Sequence, residues 1–280
     1  MKVDAYLEVF LAGLIWGLTG IFIKLIDLPP ATLSAFRLAV PTIVLIVFFA
    51  IRRIQPFHHN YKAMLGASFL NSIRVFLYIY GFLLTAIGNA VIVLYTWPIF
   101  ATIFSVAFLK EKVTKKTLFF MALAFIGLVL VYINKGFSFA DKDFIGMTLV
   151  ILSGLIYAIT FIIYKKESDN YSKTEIIFFQ NFIGSIVYLP FFFIATPTLY
   201  QLNMSIAFGL IIGLVAFGLF FSALKKIQAH KAAIMTYVEV PSAIILGIII
   251  FHEVLTLNMV IGGILILASA IGLRQAAKNN

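Results

Sequence analysis

The sequence predicts an all-α membrane protein, with ten transmembrane helices arranged as two inverted five-helix repeats and both termini cytoplasmic. Three observations lead there. Apolar side chains make up 62% of the 280 residues and charged ones only 11%, against about half and about a quarter in globular chains. The apolar residues fall in runs of roughly 20, the length a bilayer-crossing helix needs. The basic residues gather in alternate loops, as the positive-inside rule requires. Ten such runs leave no room for a folded soluble domain. The absence of cysteine excludes a disulfide framework, thiolate chemistry and Cys-ligated zinc.

In chain order the apolar runs are 5–26, 31–51, 63–84, 88–109, 117–134, 144–164, 174–194, 204–224, 231–251 and 257–274. The first is too long for the apolar core of a signal peptide, about 7–15 residues, and no small-x-small cleavage site follows it. Pro29-Pro30 separates the first two, Gln55-Pro56 the second and third, and Pro197 the seventh and eighth, since proline cannot continue a helix. Lysine clusters mark other breaks. With the amino terminus inside, the cytoplasmic segments hold Lys2; Arg52, Arg53 and Lys62; Lys110, Lys112, Lys115 and Lys116; Lys165, Lys166 and Lys173; Lys225, Lys226 and Lys231; Arg274 and Lys278. The opposite side holds only Lys135 and Lys142. The formal charge of +10 therefore belongs to topology and to anionic inner-leaflet lipid, and a nucleic-acid partner is not expected.

Residues 13–24 read GLIWGLTGIFIK and residues 154–165 read GLIYAITFIIYK, identical at six of twelve positions. TWPIFATIFSVAFLKE (96–111) likewise resembles EVPSAIILGIIIFHE (239–253), each with a proline in mid-span and a glutamate near its end. A five-helix unit, 1–140, therefore returns as 141–280. Because five is odd, the second copy enters the membrane upside down. Inverted repeats are the mark of secondary transporters, which alternate access around a site near the midplane.

These same residues resemble the drug/metabolite transporter superfamily in its ten-helix EamA branch. The resemblance covers essentially the whole chain. It rests on Trp16-Gly17 with Lys24, Pro30 with Phe36-Arg37, and the Pro98…Glu111 and Pro241…Glu253 pairs that close each half. It implies export or exchange of amino acids and other small metabolites across the bacterial cytoplasmic (inner) membrane. The second half departs from the first at Gln180, which stands about where Arg37 does.

Ionisable residues deep in a span are costly and are functional candidates by default. Only Arg37, Arg74 and Glu239 lie far from an interface; Arg74 and Glu239 are near the middle of their spans, whereas Arg37 is about seven residues in and close enough to the outer end to snorkel. Asn71 and Tyr78 share a helical face with Arg74. Pro98 and Pro241 release backbone carbonyls, which a membrane tolerates only beside protein or a wet cavity. The expected solute site comprises Trp16, Thr19, Asn71, Arg74, Tyr78, Thr96, Tyr157, Gln180 and Glu239. Arg74 would hold a carboxylate, Glu239 an ammonium, and the aromatics would form apolar and cation–π walls. Alternatively, Arg74 and Glu239 neutralise each other as a structural lock. Glu239 is also the group that could carry a coupling proton. Gly13/Gly17 and Gly209/Gly213 read as close-packing pairs, Glu111 and Glu253 as caps or gating contacts, and His58-His59 as solvated surface.

No G-x-S-x-G, H-E-x-x-H or P-loop lysine motif is present, so enzymatic activity, a metal site and a cofactor are not expected. One deep Arg and one deep Glu suit a small zwitterion such as an amino acid. A larger derivative such as S-adenosylmethionine, or a lipophilic cation, is the alternative. The expected partners are that solute and the lipid bilayer, with the chain a monomer or weak homodimer.

Overall fold

The computed structural model describes residues 4–85, 87–133, 141–252 and 254–278. The described regular elements are helical throughout. Nine helical segments among the described residues are long and apolar enough to cross a bilayer: Ala5–Ile26, Pro30–Arg52, Tyr61–Leu84, Ala90–Leu109, Lys115–Tyr132, Lys142–Lys166, Leu199–Leu224, Ala229–Phe251 and Leu257–Ala276. They sit where the apolar runs place them, apart from Leu199, which starts several residues early. Thr198 accepts from the Gln201 backbone N–H and Gln201 reaches back to Thr198, a capping box that begins a helix wherever its two side chains exchange these bonds.

Several spans are composite. The first is α1 (Ala5–Trp16) followed by α2 (Thr19–Ile26). α3 (Pro30–Arg52) and α4 (Tyr61–Leu84) are continuous. α5 (Ile87–Leu94) and α6 (Trp97–Leu109) share a span, then come α7 (Lys115–Tyr132) and α8 (Asp141–Lys166). α10 (Leu199–Phe208) passes through a π-helical stretch, Gly209–Ala216, into α11 (Phe217–Leu224). α12 (Ala229–Met235) meets α13 (Glu239–Phe251) through a 3-10 turn, and α14 (Leu257–Lys278) ends the described chain.

The run expected at 174–194 behaves differently. α9 (Lys173–Val187) is only 15 residues long and gives way to a 3-10 segment, Leu189–Phe193. Pro190 has no N–H to continue an α-helix. Ser172 and Glu175 close a capping box at its start.

Lipid-facing and packed surfaces separate cleanly. Ile43, Ile46, Val47 and Ile51 on α3 and Phe69 and Phe76 on α4 are exposed, a loss in water but neutral against acyl chains. Inside, small residues let backbones touch. α7 crosses α14 at Gly127 and Gly262, where a Cβ on Gly127 would lie 2.7 Å from the Gly262 carbonyl oxygen. Gly262→Val should therefore force these helices apart and cost about 1–3 kcal/mol, the usual penalty for overpacking. The check is a lower thermal unfolding midpoint in detergent. Gly13 faces Val238 and Glu239, and Gly209 and Gly213 face Val40 and Pro41, so both glycine pairs pack within the bundle.

Arg274, in the last turns of α14, donates to Asp4 at the start of α1 with Nη2–Oδ2 at 2.6 Å. The two chain ends thus share one face, called here the termini face. The same face is laced together elsewhere. Lys226 donates to Glu8 at 2.6 Å, and His230 Nδ1 lies 2.6 Å from Glu111. Lys165 donates to the carbonyls of Leu224 and Ile227 at 2.6 and 2.9 Å. His58 pairs with Glu175 at 2.6 Å and stacks on Tyr171, so it is tied down where solvated surface was expected. Glu253 lies outside the described residues.

Candidate functional site

A cavity of about 330 Å³ lies between the helices. Its floor is built by side chains near mid-span, Arg74, Tyr157, Trp97 and Glu239. From there it rises past Leu33 and Ile79 to Leu28, Pro30, Phe82 and Leu83 at the face opposite the termini. Leu83 at that rim is 64% exposed. Beneath the floor, on the termini side, the laced contacts described above close the bundle.

Two helix breaks shape the walls. At the first, Leu18 N–H bonds to Ile15 O, not to Leu14 O as an α-helix would require. The released Leu14 carbonyl accepts the Ser242 hydroxyl at 2.8 Å. Gly17 is needed here because any Cβ would meet the backbone N of Ala243 at 2.9 Å. Trp16 and Thr19 flank this break and so reach the cavity. At the second break, Ile99 N–H bonds to Thr96 O, and the freed Tyr95 carbonyl accepts the Tyr237 hydroxyl at 2.7 Å. Pro98 has no N–H to donate to the Leu94 carbonyl, which interrupts the α-helical ladder here. Each released carbonyl is satisfied by a hydroxyl from the α12–α13 region, as a low-dielectric setting demands.

Arg74 is held from behind. Its Nε donates to Asn71 Oδ1 at 2.8 Å, and Asn71 Nδ2 donates to the Gln180 carbonyl at 2.7 Å. Its guanidinium carbon lies 4.8 Å from the centroid of Tyr157, and Trp97 packs against that ring at 4.6 Å. The Arg74 terminal nitrogens make no hydrogen bond to any described residue, which leaves them facing the cavity. Glu239 lines the cavity together with Tyr95. Among the described residues no ion pair within 4.0 Å joins Arg74 to Glu239, so the mutual lock is not formed in this state.

Of the nine residues expected from sequence, Trp16, Thr19, Arg74, Tyr78, Tyr157 and Glu239 line the cavity. Asn71, Thr96 and Gln180 do not. Asn71 orients Arg74, Gln180 contributes only its backbone carbonyl to that chain, and the Thr96 hydroxyl is turned back to Val93 O at 2.6 Å. Arg37, Tyr95 and Phe217 line the cavity without having been expected. For Arg37 the snorkelling expectation is overturned. Pro30, Leu33, Ser34 and Arg37 all line the cavity, and their spacing of i, i+3, i+4 and i+7 is one helical stripe. That stripe was visible in the sequence, and it points inward. The Arg37 guanidinium sits 5.7 Å from the Phe217 ring.

The arrangement sets two guanidinium groups from the first half of the chain against one carboxylate from the second, with aromatic rings between. Among the described residues no three His, Asp or Glu side chains converge as a metal site. Outside the membrane segments, Glu111 accepts from the Ala229 N–H at 2.7 Å as well as from His230. Burial opposes its ionisation, but the bonds from His230 and the Ala229 backbone prevail and hold its carboxyl below the ordinary glutamate range.

Comparison with known proteins agrees with this architecture. A solved crystal structure superposes with a TM-score of 0.84 over 99% of this chain and 100% of its own, at 16% identity. An uncharacterized transporter of Archaeoglobus fulgidus is 28% identical over 268 residues, 94% of this chain and 93% of the relative. An S-adenosylmethionine uptake transporter of Rickettsia bellii is 23% identical, covering 84% of this chain and 80% of its own. A pseudopaline exporter of Pseudomonas aeruginosa is 20% identical, covering 90% and 88%. The EamA-like transporter family model matches residues 4–133 and again 144–275, so this multi-pass membrane chain belongs to the EamA-like transporter family, within the drug/metabolite transporter superfamily.

Proposed function

We propose that the protein is a secondary transporter, an exporter or exchanger of small zwitterionic metabolites such as amino acids, working by alternating access in the bacterial cytoplasmic membrane. The observation that carries this is the polarised cavity. Arg74 and Glu239 face the same aromatic-walled space near mid-span without pairing to each other, and opposite charges held apart in a low-dielectric site favour a dipolar solute over water. A volume of about 330 Å³ lies at the small end of ligand sites, about 300–1,000 Å³. The two relatives with named solutes carry different ones, so family membership leaves the choice to the cavity. Two arginines against one carboxylate disfavour a sulfonium such as S-adenosylmethionine or a lipophilic cation.

The accompanying architecture is ten crossings in two inverted repeats, 1–140 and 141–280, with cytoplasmic termini. Two matches of one family model along the chain support the repeat. The Asp4–Arg274 contact supports an even number of crossings, which the nine long spans reach only if Lys173–Phe193 counts as the tenth. With the termini inside, the cavity faces outward.

Counterflow in proteoliposomes tests the assignment. Internal unlabelled amino acids should accelerate uptake of labelled ones, while a lipophilic cation and S-adenosylmethionine should not exchange. If no amino acid exchanges, the assignment fails. Repeating the measurement at zero and imposed pH gradient shows whether Glu239 carries a proton: a gradient that drives accumulation supports it, and indifference to the gradient excludes it.

A further inference from the structure

We propose that Arg37 is a second anion-binding group of this cavity, and that the preferred solute carries two carboxylates and one ammonium, an acidic amino acid. This rests on the cavity being the solute site. Arg37 extends from α3 into the space lined by Arg74 on α4 and Glu239 on α13. It makes no hydrogen bond or ion pair to any described residue beyond its contact with the Phe217 ring. Arg74, by contrast, is oriented by Asn71.

Charge balance then decides between solutes. Arg37 and Arg74 are permanently protonated, and the lining includes Glu239 as its one carboxylate. A neutral zwitterion satisfies Arg74 and Glu239 and leaves Arg37 facing a site of low dielectric with only an aromatic face to compensate it. Cation–π attraction is a weaker partner for a guanidinium than a carboxylate is. A second carboxylate on the solute closes the balance, and it does so with a planar fork suited to bidentate recognition. The asymmetry is particular to the first half, because Gln180, at the corresponding place in the second half, is buried outside the cavity.

Binding of L-glutamate, L-aspartate and L-glutamine to the purified full chain in nanodiscs, by calorimetry at fixed chloride, tests this. Glutamate and glutamine share a length and differ in one charge. Glutamate should bind on the order of tenfold tighter or better. Arg37→Gln should collapse that ratio toward one, and Arg37→Lys should keep part of it. A structural role for Arg37 would lower both affinities and leave their ratio intact, which overturns the proposal. So does equal or tighter binding of glutamine to the native chain. Either of these leaves zwitterion transport standing. If no amino acid binds or exchanges, the cavity reading itself fails, and the Arg37 proposal falls with it.

Discussion

Arg74→Met is expected to abolish amino-acid counterflow, and Glu239→Gln to do the same, while both variants remain monodisperse in detergent. Each substitution removes one pole of the cavity. In a water-poor site the loss of a hydrogen-bonded charge partner costs about 2–5 kcal/mol, because the opposite charge on the solute stays desolvated and unpaired. That corresponds to roughly thirtyfold to several thousandfold in affinity. Folding should survive. Methionine fills much of the arginine stem's volume, and glutamine matches glutamate in shape. Asn71→Ala should act more mildly, since it only frees Arg74 from the 2.8 Å bond that orients it. The decisive measurement is the double variant Arg74→Met with Glu239→Gln. Full transport by that protein would show that neither charge handles solute.

Breaking the Glu111 contact should open the closed side. Glu111 accepts two bonds from the start of α12, at 2.7 Å from Ala229 N–H and 2.6 Å from His230 Nδ1, and so ties the end of α6 to α12 beneath the cavity floor. Hydrogen bonds to a charged group contribute about 1.5–3 kcal/mol each. Glu111→Gln, which weakens both, should raise the population opened toward the termini face by roughly tenfold to a hundredfold. The chain has no native cysteine, so a single Ala233→Cys reports this directly. Ala233 is fully buried in the closed state, and its modification by a membrane-impermeant maleimide from the termini side should accelerate by that factor in the Glu111→Gln background. The pH dependence has a definite sign. The Glu111 carboxyl is held below its ordinary range in the closed state, so the contact is intact above that range and is lost as pH falls through the depressed value. Measured relative to an exposed control cysteine, which corrects for the falling thiolate fraction, acid should speed labelling of the native protein and leave the Glu111→Gln ratio nearly unchanged. Equal acceleration in both would assign the effect elsewhere.

Which residues line the cavity was legible in part, and the pattern has a cause. Arg74 and Glu239 announced themselves because an ionisable group in mid-span has no cheap alternative to a polar cavity. Tyr78 followed from its i+4 relation to Arg74. Arg37 was misjudged because distance from an interface was weighed and helical face was not. Its stripe with Pro30, Leu33 and Ser34 shows the direction that depth alone cannot. Asn71 was placed beside Arg74 and Gln180 on a separate helix, yet both sit behind Arg74, and only the rotation of α4 against α9 decides which side of an arginine is front. His58 looked solvated because Glu175, its partner, is far away in sequence.

By itself the sequence determined the helical membrane class, nearly all the span boundaries and the family pattern. Hydropathy, proline and capping signals act along one segment, so they can be read one segment at a time. It also placed the two charges that polarise the bundle. The tertiary structure decided which faces converge, that the cavity carries two cations and one anion, and which side is sealed. Those outcomes depend on how each helix is rotated and where it breaks. The breaks at Leu14 and Tyr95 are stabilised by hydroxyls of Ser242 and Tyr237 from the far half of the chain, and pairings across such a distance exist only once the helices have packed.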